Sequence, residues 1–159
     1  MAAAVAVMLG AHPRVRMFEA WVSAGVADTL GVLDADRLGT AVIFPIDGVL
    51  VDYEITAGCS VAFLLPPFFV VAAALIASGR IGIRAGLATL GVVTVALLAV
   101  NQLRLLGVAL SMRNWGFETG YERSHILLGT LASTIGVVAG VVLFVFMLTR
   151  QPAPAVSHG

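Results

Sequence analysis

The sequence predicts an all-α membrane protein: a bundle of three or four transmembrane helices, with a short extracytoplasmic β-hairpin-like segment ahead of the only cysteine. The composition is the first reason, because the 159 residues are 60% hydrophobic and 11% charged, with a mean hydropathy of +1.03. A soluble domain carries about 25% charged residues. Long uncharged runs and a hairpin signal between residues 40 and 55 are the other two reasons.

The same composition argues against several classes of function. The formal net charge is zero and there is no basic block, so a nucleic-acid partner is not expected, since phosphates demand clustered Lys and Arg. A single cysteine forms no intrachain disulfide, and without a Cys-x-x-Cys motif we expect neither a structural zinc site nor a thioredoxin-like redox site. The expected surroundings are a lipid bilayer.

Residues 1–39 form the first predicted unit, an apolar to amphipathic helical region. Its first apolar run is too short to span about 30 Å of hydrocarbon by itself. A longer helix would cross the membrane only with Arg14, Arg16 and Glu19 facing protein or an interface. A helix that lies in the membrane interface is the alternative, and both stay open.

Residues 40–55 have the pattern of strands. Two runs rich in β-branched residues flank Asp47-Gly48, a dipeptide typical of tight hairpin turns. Strand backbones cannot lie in lipid unless they are covered. We therefore expect a hairpin on the outer surface, next to Cys59.

Three apolar segments predict membrane spans within a core of residues 40–150. They lie at about residues 61–78, 85–110 and 126–149. The first is at the lower limit for crossing about 30 Å of hydrocarbon at about 1.5 Å per residue, and the last is the clearest span of the three. Pro66 and Pro67 lie inside the first span, where a proline pair is expected to kink the helix.

Arginines set the predicted orientation. Arg80 and Arg84 fill the loop between the first two spans, and Arg150 follows the last span. The positive-inside rule puts that side, together with a tail of residues 151–159, in the cytoplasm. Cys59 then faces outward.

Cys59 and Arg104 both lie near the outer end of a span. Cys59 precedes the first span, where a helix N-terminus would stabilise a thiolate; a small buried apolar residue is the alternative role for a lone cysteine. Arg104 lies within the second span at a cost of about 2.5–3.5 kcal/mol. Asn101 shares its helical face, which favours a buried polar pocket over a side chain that snorkels to the headgroups.

His125 begins the last span, after a predicted outer loop of residues 111–124 and with Ser124 as its N-cap. A thiol, a guanidinium and an imidazole are then expected at similar depth. Nucleophile, oxyanion donor and base are the parts of a cysteine transpeptidase. We predict that Cys59, Arg104 and His125 converge in one outward-facing pocket, with Asn101 and Ser60 in supporting positions.

Three short motifs occur in order along the core. They are Gly58-Cys59-Ser60, Asn101-Gln102-Leu103-Arg104-Leu105 and His125-Ile126-Leu127-Leu128-Gly129. This layout resembles the exosortase/archaeosortase family, whose pattern is Ala-Cys-Ser-Gly, then Asn-x-x-Arg followed by Ile or Leu, then His with Gly four residues on. The resemblance covers about residues 42–150. It implies a multi-pass protein of the bacterial plasma membrane with an extracytoplasmic active site.

The resemblance also implies an activity, that of a transpeptidase acting on exported proteins. Their C-terminal sorting signal, a short motif with an apolar helix and a basic cluster, would be cleaved, and the protein transferred to an acceptor in the envelope. Cys59 would form the acyl-enzyme, His125 would move the proton, and Arg104 would stabilise the thiolate or the oxyanion. This chemistry needs no metal and no organic cofactor.

Two departures from the family pattern leave other functions open. Val61 stands where the family has glycine after Cys-Ser, which would narrow the approach to the thiol. At most one span precedes Cys59, whereas typical members have several, so a partner subunit or a homo-oligomer is implied. A catalytically degenerate homologue and a small membrane scaffold or assembly subunit are the alternatives.

Overall fold

The computed structural model describes residues 2–31 and 33–150, apart from the side chains of residues 2–12, 123 and 125–129. The predicted tail, residues 151–159, lies outside the described residues. The helices and strands are α1 (Ala2–Thr29), β1 (Asp36–Leu38), β2 (Ala41–Ile46), β3 (Val49–Glu54), α2 (Pro66–Ala77), α3 (Ile83–Trp115) and α4 (Phe117–Thr149). Two 3-10 turns, Ala57–Cys59 and Val61–Phe63, lie between β3 and α2.

The fold is mostly helical, and two described segments are long and apolar enough to cross a membrane, Ile83–Trp115 and Thr130–Thr149. Large apolar side chains on both are exposed, among them Leu87 and Ile135, as on a surface that contacts lipid. The segment Val61–Ala77 is apolar but shorter. A bundle of three or four spans is therefore not confirmed by the described helices.

Helices α3 and α4 extend past the predicted spans at the end where they meet. The predicted outer loop of residues 111–124 is wrong, because only Gly116 interrupts the helices there. Its φ of +81° is a conformation that suits glycine. Ser124 consequently lies inside α4, where its hydroxyl donates to the Gly120 carbonyl at 2.5 Å, and it is not an N-cap.

The first predicted span, residues 61–78, is not one helix. A 3-10 turn covers Val61–Phe63, and α2 begins only at Pro66. Pro66 and Pro67 occupy the first positions of α2, where a missing N–H removes no helical hydrogen bond. The predicted kink is therefore wrong: the proline pair starts a helix of 12 residues instead of bending a longer one.

The predicted hairpin is present as β2 and β3, which pair antiparallel as far as Ile46 and Val49. Asp47 and Gly48 form the turn with φ values of 51° and 81°, as a type I′ turn requires. No sequence pattern had indicated β1. It pairs with the other edge of β2 and completes a three-stranded antiparallel sheet.

Two apolar clusters fix where the sheet and the helices lie. The sheet cluster, which includes residues of the strands, contains among others Ala20, Phe44, Tyr53, Cys59, Leu105 and Met112. The helix cluster contains among others Val61, Leu65, Phe68, Val93, Leu97 and Phe144. Cys59 belongs to the first cluster and Val61 to the second. The turn between these two residues therefore lies where the clusters meet.

Gly120 marks a close approach of α4 to the backbone of α3. A Cβ on Gly120 would come within 2.6 Å of the Met112 Cα, and backbone cannot move aside as a flexible side chain can. We expect Gly120→Ala to lower the free energy of unfolding by about 1–3 kcal/mol, measured by thermal or denaturant unfolding in detergent.

The matched control is Gly91→Ala. Gly91 lies in α3, and nothing is within 4 Å of a Cβ placed there, so alanine should be neutral or stabilising by about 1 kcal/mol. If Gly120→Ala unfolded like Gly91→Ala, this packing of α3 against α4 would be wrong.

Candidate functional site

The thiol of Cys59 lies against the guanidinium of Arg104. Arg104 Nη2 is 3.4 Å from Cys59 Sγ, close enough for sulfur to accept a hydrogen bond. Both residues are buried, with 7% and 8% of their surfaces exposed, whereas the neighbouring Leu103 is 71% exposed. Arg104 therefore points into the protein and does not snorkel to the headgroups.

The other two nitrogen atoms of the Arg104 guanidinium, Nη1 and Nε, have different surroundings. Nη1 lies 3.4 Å from Ser133 Oγ on α4. Nε is buried and has no hydrogen-bond partner among the described residues. A cavity of about 10 Å³ beside Asn101, Arg104 and Ser133 is about the size of one water molecule. The guanidinium thus bridges the thiol and α4, and one of its donors is unused within the described part of the chain.

Cys59 ends a 3-10 turn and does not start an α-helix. Since α2 begins only at Pro66, the predicted helix N-terminus at Cys59 is wrong, and the charge of Arg104 takes the place of a helix dipole beside the sulfur. Asn101 fixes the turn, because its Nδ2 donates to the Cys59 carbonyl at 3.0 Å. Asn101 and Arg104 lie one turn apart on α3. Asn101 therefore holds the backbone of Cys59, and Arg104 contacts its thiol.

Glu19 of α1 reaches the same turn and is fully buried. Its Oε2 accepts from the Ser60 hydroxyl at 2.5 Å. Its Oε1 accepts from the Val61 N–H at 3.0 Å and from Asn101 Nδ2 at 2.7 Å. In the sequence, Glu19 stands out only as an obstacle to a membrane span, and these contacts are not predicted. The signal was there, because a carboxylate in an apolar helix is buried only when it is paired or hydrogen-bonded.

Tyr53 of β3 and Ser23 of α1 form another buried polar contact, in which the two hydroxyl oxygens are 2.9 Å apart. Burial raises the pKa of Tyr53 to about 12; the Ser23 hydrogen bond opposes this shift, and the nearby charge of Cys59 adds to it. Tyr53 is therefore a neutral phenol at ordinary pH. No sequence motif had pointed to this residue.

We expect the tyrosinate absorbance of the folded protein to show a late step at the raised pKa of Tyr53, about 12. The folded-state pKa lies above the unfolded value of about 10. The neutral phenol therefore contributes stability below about pH 10, and this contribution, on the order of 3 kcal/mol, is lost as the pH rises towards the folded-state pKa.

Tyr53→Phe is the control for this titration, since the chain has two tyrosines. It should remove the late step and leave the other tyrosine unchanged. A titration curve that keeps its late step in Tyr53→Phe would show that the burial of Tyr53 is not its cause.

The side chain of His125 lies outside the described residues, so its predicted place beside Cys59 stays a prediction. Its backbone lies in α4. Ser133, the α4 residue that contacts Arg104, lies about 12 Å further along the helix at about 1.5 Å per residue. Ser133 was not predicted. Among the predicted site residues, hydrogen bonds join Asn101 and Arg104 directly to Cys59. Ser60 is joined to Asn101 through the Glu19 carboxylate.

Within the described part of the chain, no group of three or more His, Cys, Asp or Glu side chains is placed to hold a metal ion. Comparison of the chain with protein-family models, with curated proteins and with solved structures found no match. The resemblance to the exosortase/archaeosortase family therefore rests on the three motifs alone, and the geometry of this site is the basis for inferring a function.

Proposed function

We propose that this chain is a membrane-embedded cysteine transpeptidase of the exosortase kind, which cleaves the C-terminal sorting signal of exported proteins. The observation that carries the proposal is the contact of the only thiol with a buried arginine, Arg104 Nη2 to Cys59 Sγ at 3.4 Å. A buried guanidinium costs free energy unless it is paired. Among the described residues Arg104 has no carboxylate partner, and a Cys59 thiolate is the anion that would compensate it.

The first chemical step uses this pair. The Cys59 thiolate attacks the scissile carbonyl carbon, an S–C bond forms, and the carbonyl π electrons move to the oxygen. The oxyanion needs hydrogen-bond donors, and Arg104 Nε is a buried donor without a partner in the described part of the chain. A planar guanidinium serves the sulfur and the oxyanion with different N–H groups.

His125 is the proposed acid and base of the reaction. It takes the thiol proton before the attack and returns it to the leaving amine, so that the C–N bond breaks and the tail departs. An acceptor nucleophile of the envelope then attacks the thioester. Its proton passes to His125, and the Cys59 thiolate is released.

A membrane location fits this substrate. The segments Ile83–Trp115 and Thr130–Thr149 can cross a bilayer by length and composition, and the apolar helix of a sorting signal would lie beside them. Arg80 and Arg84 are at one end of α3, and the candidate site lies towards the other. The positive-inside rule then gives an extracytoplasmic site. The resemblance to the exosortase/archaeosortase family adds a multi-pass protein of the bacterial plasma membrane, with a partner subunit or a homo-oligomer, to the proposal.

The position of Val61 supports a competent site over a catalytically degenerate one. Its side chain packs in the helix cluster, whereas Cys59 belongs to the sheet cluster. Its N–H is held by Glu19. The valine that stands in place of the family's glycine therefore affects apolar packing in the helix cluster, next to the turn that carries Cys59. A membrane scaffold, the other alternative, would need no contact between a thiol and a guanidinium.

Processing of a matched substrate tests the proposal. The chain is expressed with an exported protein that ends in a short motif, an apolar helix and an arginine cluster, chosen from its gene neighbours. We expect the tail to be lost and the protein to be attached to the envelope. The control is the same substrate with the motif scrambled and the helix and arginines kept. Full-length substrate in the presence of the folded chain would overturn the proposal.

A further inference from the structure

We infer that Glu19 is a positioning residue for the Cys59 nucleophile, which makes helix α1 part of the catalytic centre. As a statement about catalysis, the inference rests on the proposed function. As a statement about the reactivity of the thiol, it rests only on the contacts that Glu19 makes with Ser60, Val61 and Asn101.

Among the described residues, the three hydrogen-bond donors to the Glu19 carboxylate all belong to the surroundings of the nucleophile. Ser60 and Val61 follow Cys59 directly in the chain, and Asn101 Nδ2 also donates to the Cys59 carbonyl. Hydrogen bonds to an ionised carboxylate are about twice as strong as bonds between neutral groups. Glu19 therefore ties the turn that carries the thiol to the same face of α3 that carries the arginine.

Arg16, one turn before Glu19 on α1, holds the other end of the same segment. Its Nε donates to the Ile55 carbonyl, and its Nη2 forms an ion pair with Glu54 at 2.6 Å. Residues 55–61 are thus fixed at both ends by one helix. Cys59 lies between the two anchor points.

The segment needs such anchors because its own structure is weak. The chain between β3 and α2 contains two 3-10 turns of three residues each, and 3-10 hydrogen bonds have poorer geometry than those of an α-helix. The thiol meets Arg104 through one contact at 3.4 Å. A misplacement of about 1 Å at an enzyme site costs about 100-fold in rate. Glu19 sets the place of the sulfur without touching it.

Alkylation of Cys59 tests this inference apart from any transpeptidase activity. The chain has one cysteine, so the rate at which iodoacetamide modifies the full-length protein in detergent reports on this thiol alone. Ultraviolet absorbance of the thiolate gives the same pH profile without a reagent. Among the described residues, the charged and titratable groups around Cys59 include Arg104 from α3, Tyr53 from β3 and Glu19 from α1. Tyr121 from α4 packs against the cluster that contains Cys59.

We expect Glu19→Gln to move the pH profile of alkylation to higher pH and to lower the rate at neutral pH about tenfold. Glutamine keeps the size of the side chain but loses the charge and one acceptor. Arg104→Lys should shift the profile in the same direction. The double variant Glu19→Gln/Arg104→Lys should have nearly the same pH profile as Arg104→Lys alone, because both substitutions act on the contact between Arg104 and Cys59. Asp28→Asn is the matched control, an exposed acidic residue of the same helix, and should leave the profile unchanged.

The direction of the shift separates positioning from simple electrostatics. Removing a negative charge near a thiol favours the thiolate, so a direct effect of charge would move the profile of Glu19→Gln to lower pH. A shift to lower pH, or an unchanged profile in the folded variant, overturns the inference. If Glu19→Gln does not fold, Ser60→Ala is the test, because it removes one of the donors to the Glu19 carboxylate. It should shift the pH profile of alkylation to higher pH by a smaller amount than expected for Glu19→Gln. An unshifted profile in Ser60→Ala would then contradict the inference.

Failure of this inference and failure of the proposed function give different results. A profile that depends on Glu19 in a chain that cleaves no sorting signal would keep the positioning role and remove the transpeptidase. Cleavage of the signal at the wild-type rate by Glu19→Gln would keep the transpeptidase and remove the positioning role.

Discussion

Replacing Cys59 with alanine should abolish processing of the sorting signal, with a loss of at least about 10⁴-fold in rate. The chain holds no other thiol that could form the acyl-enzyme. Cys59→Ser should be nearly as inactive, because a serine hydroxyl beside an arginine does not ionise as a thiol does. The measurement is the fraction of substrate that loses its tail in a pulse-chase, at equal amounts of folded chain in the membrane.

Ser78→Ala is the matched control for this experiment. Ser78 is an exposed residue just after α2 whose hydroxyl donates to the Leu75 carbonyl of its own helix, so the variant should process substrate at the wild-type rate. Normal processing by Cys59→Ala would exclude covalent catalysis by this residue. The scaffold or assembly function would then be the account to pursue.

Arg104→Lys should lower the rate of processing about 10²- to 10³-fold, although it keeps the charge. Arginine contacts Cys59 Sγ with Nη2 and Ser133 Oγ with Nη1, and the planar fork leaves Nε for the oxyanion. The compact ammonium of lysine cannot reproduce this arrangement of donors. Single-turnover measurements with a sorting-signal peptide would separate this loss from weaker binding.

Two neighbouring variants serve as controls for Arg104. Leu103→Ala changes an exposed residue and should leave the rate unchanged. Ser133→Ala removes the Nη1 contact but keeps the thiol contact, and should cost less than about tenfold. Normal processing by Arg104→Ala would exclude an oxyanion role for this residue and leave Cys59 with His125 as the surviving part of the mechanism.

The hairpin and the long apolar helices could be predicted because their signals are local. Asp47-Gly48 adopts the two positive φ values that its sequence favours, and uncharged runs mark α3 and α4. The short strand β1, with only three exposed residues, has no local signal. It exists because β2 offers an edge with which to pair.

The ends of the helices could not be predicted in the same way. Charged residues such as Arg113 and Glu118 suggested a loop at 111–124, but a helix outside lipid tolerates exposed charges, and only Gly116 breaks the backbone. The proline pair at Pro66 is compatible with a kink or with a helix start. Which of the two occurs depends on how the chain enters from the sheet, and local sequence does not encode that.

The contact between Cys59 and Arg104 matches an argument from depth alone, since both residues lie near the same end of apolar segments. The contacts of Glu19 could not be found in that way. Its partners Ser60 and Asn101 are 41 and 82 positions away in the sequence, and helical periodicity indicates a buried face without indicating what lies against it. The place of the His125 imidazole stays a prediction.

The measurement that tests the central claim most directly is the mass of the Cys59-containing peptide during turnover. The wild-type chain is incubated with a sorting-signal peptide in the absence of an acceptor nucleophile, quenched in acid and digested. The account predicts an adduct on Cys59 with the mass of the substrate portion before the cleaved bond, removed by hydroxylamine as a thioester is, and missing in Cys59→Ala. Cleavage of the peptide while Cys59 stays unmodified throughout the reaction would contradict it.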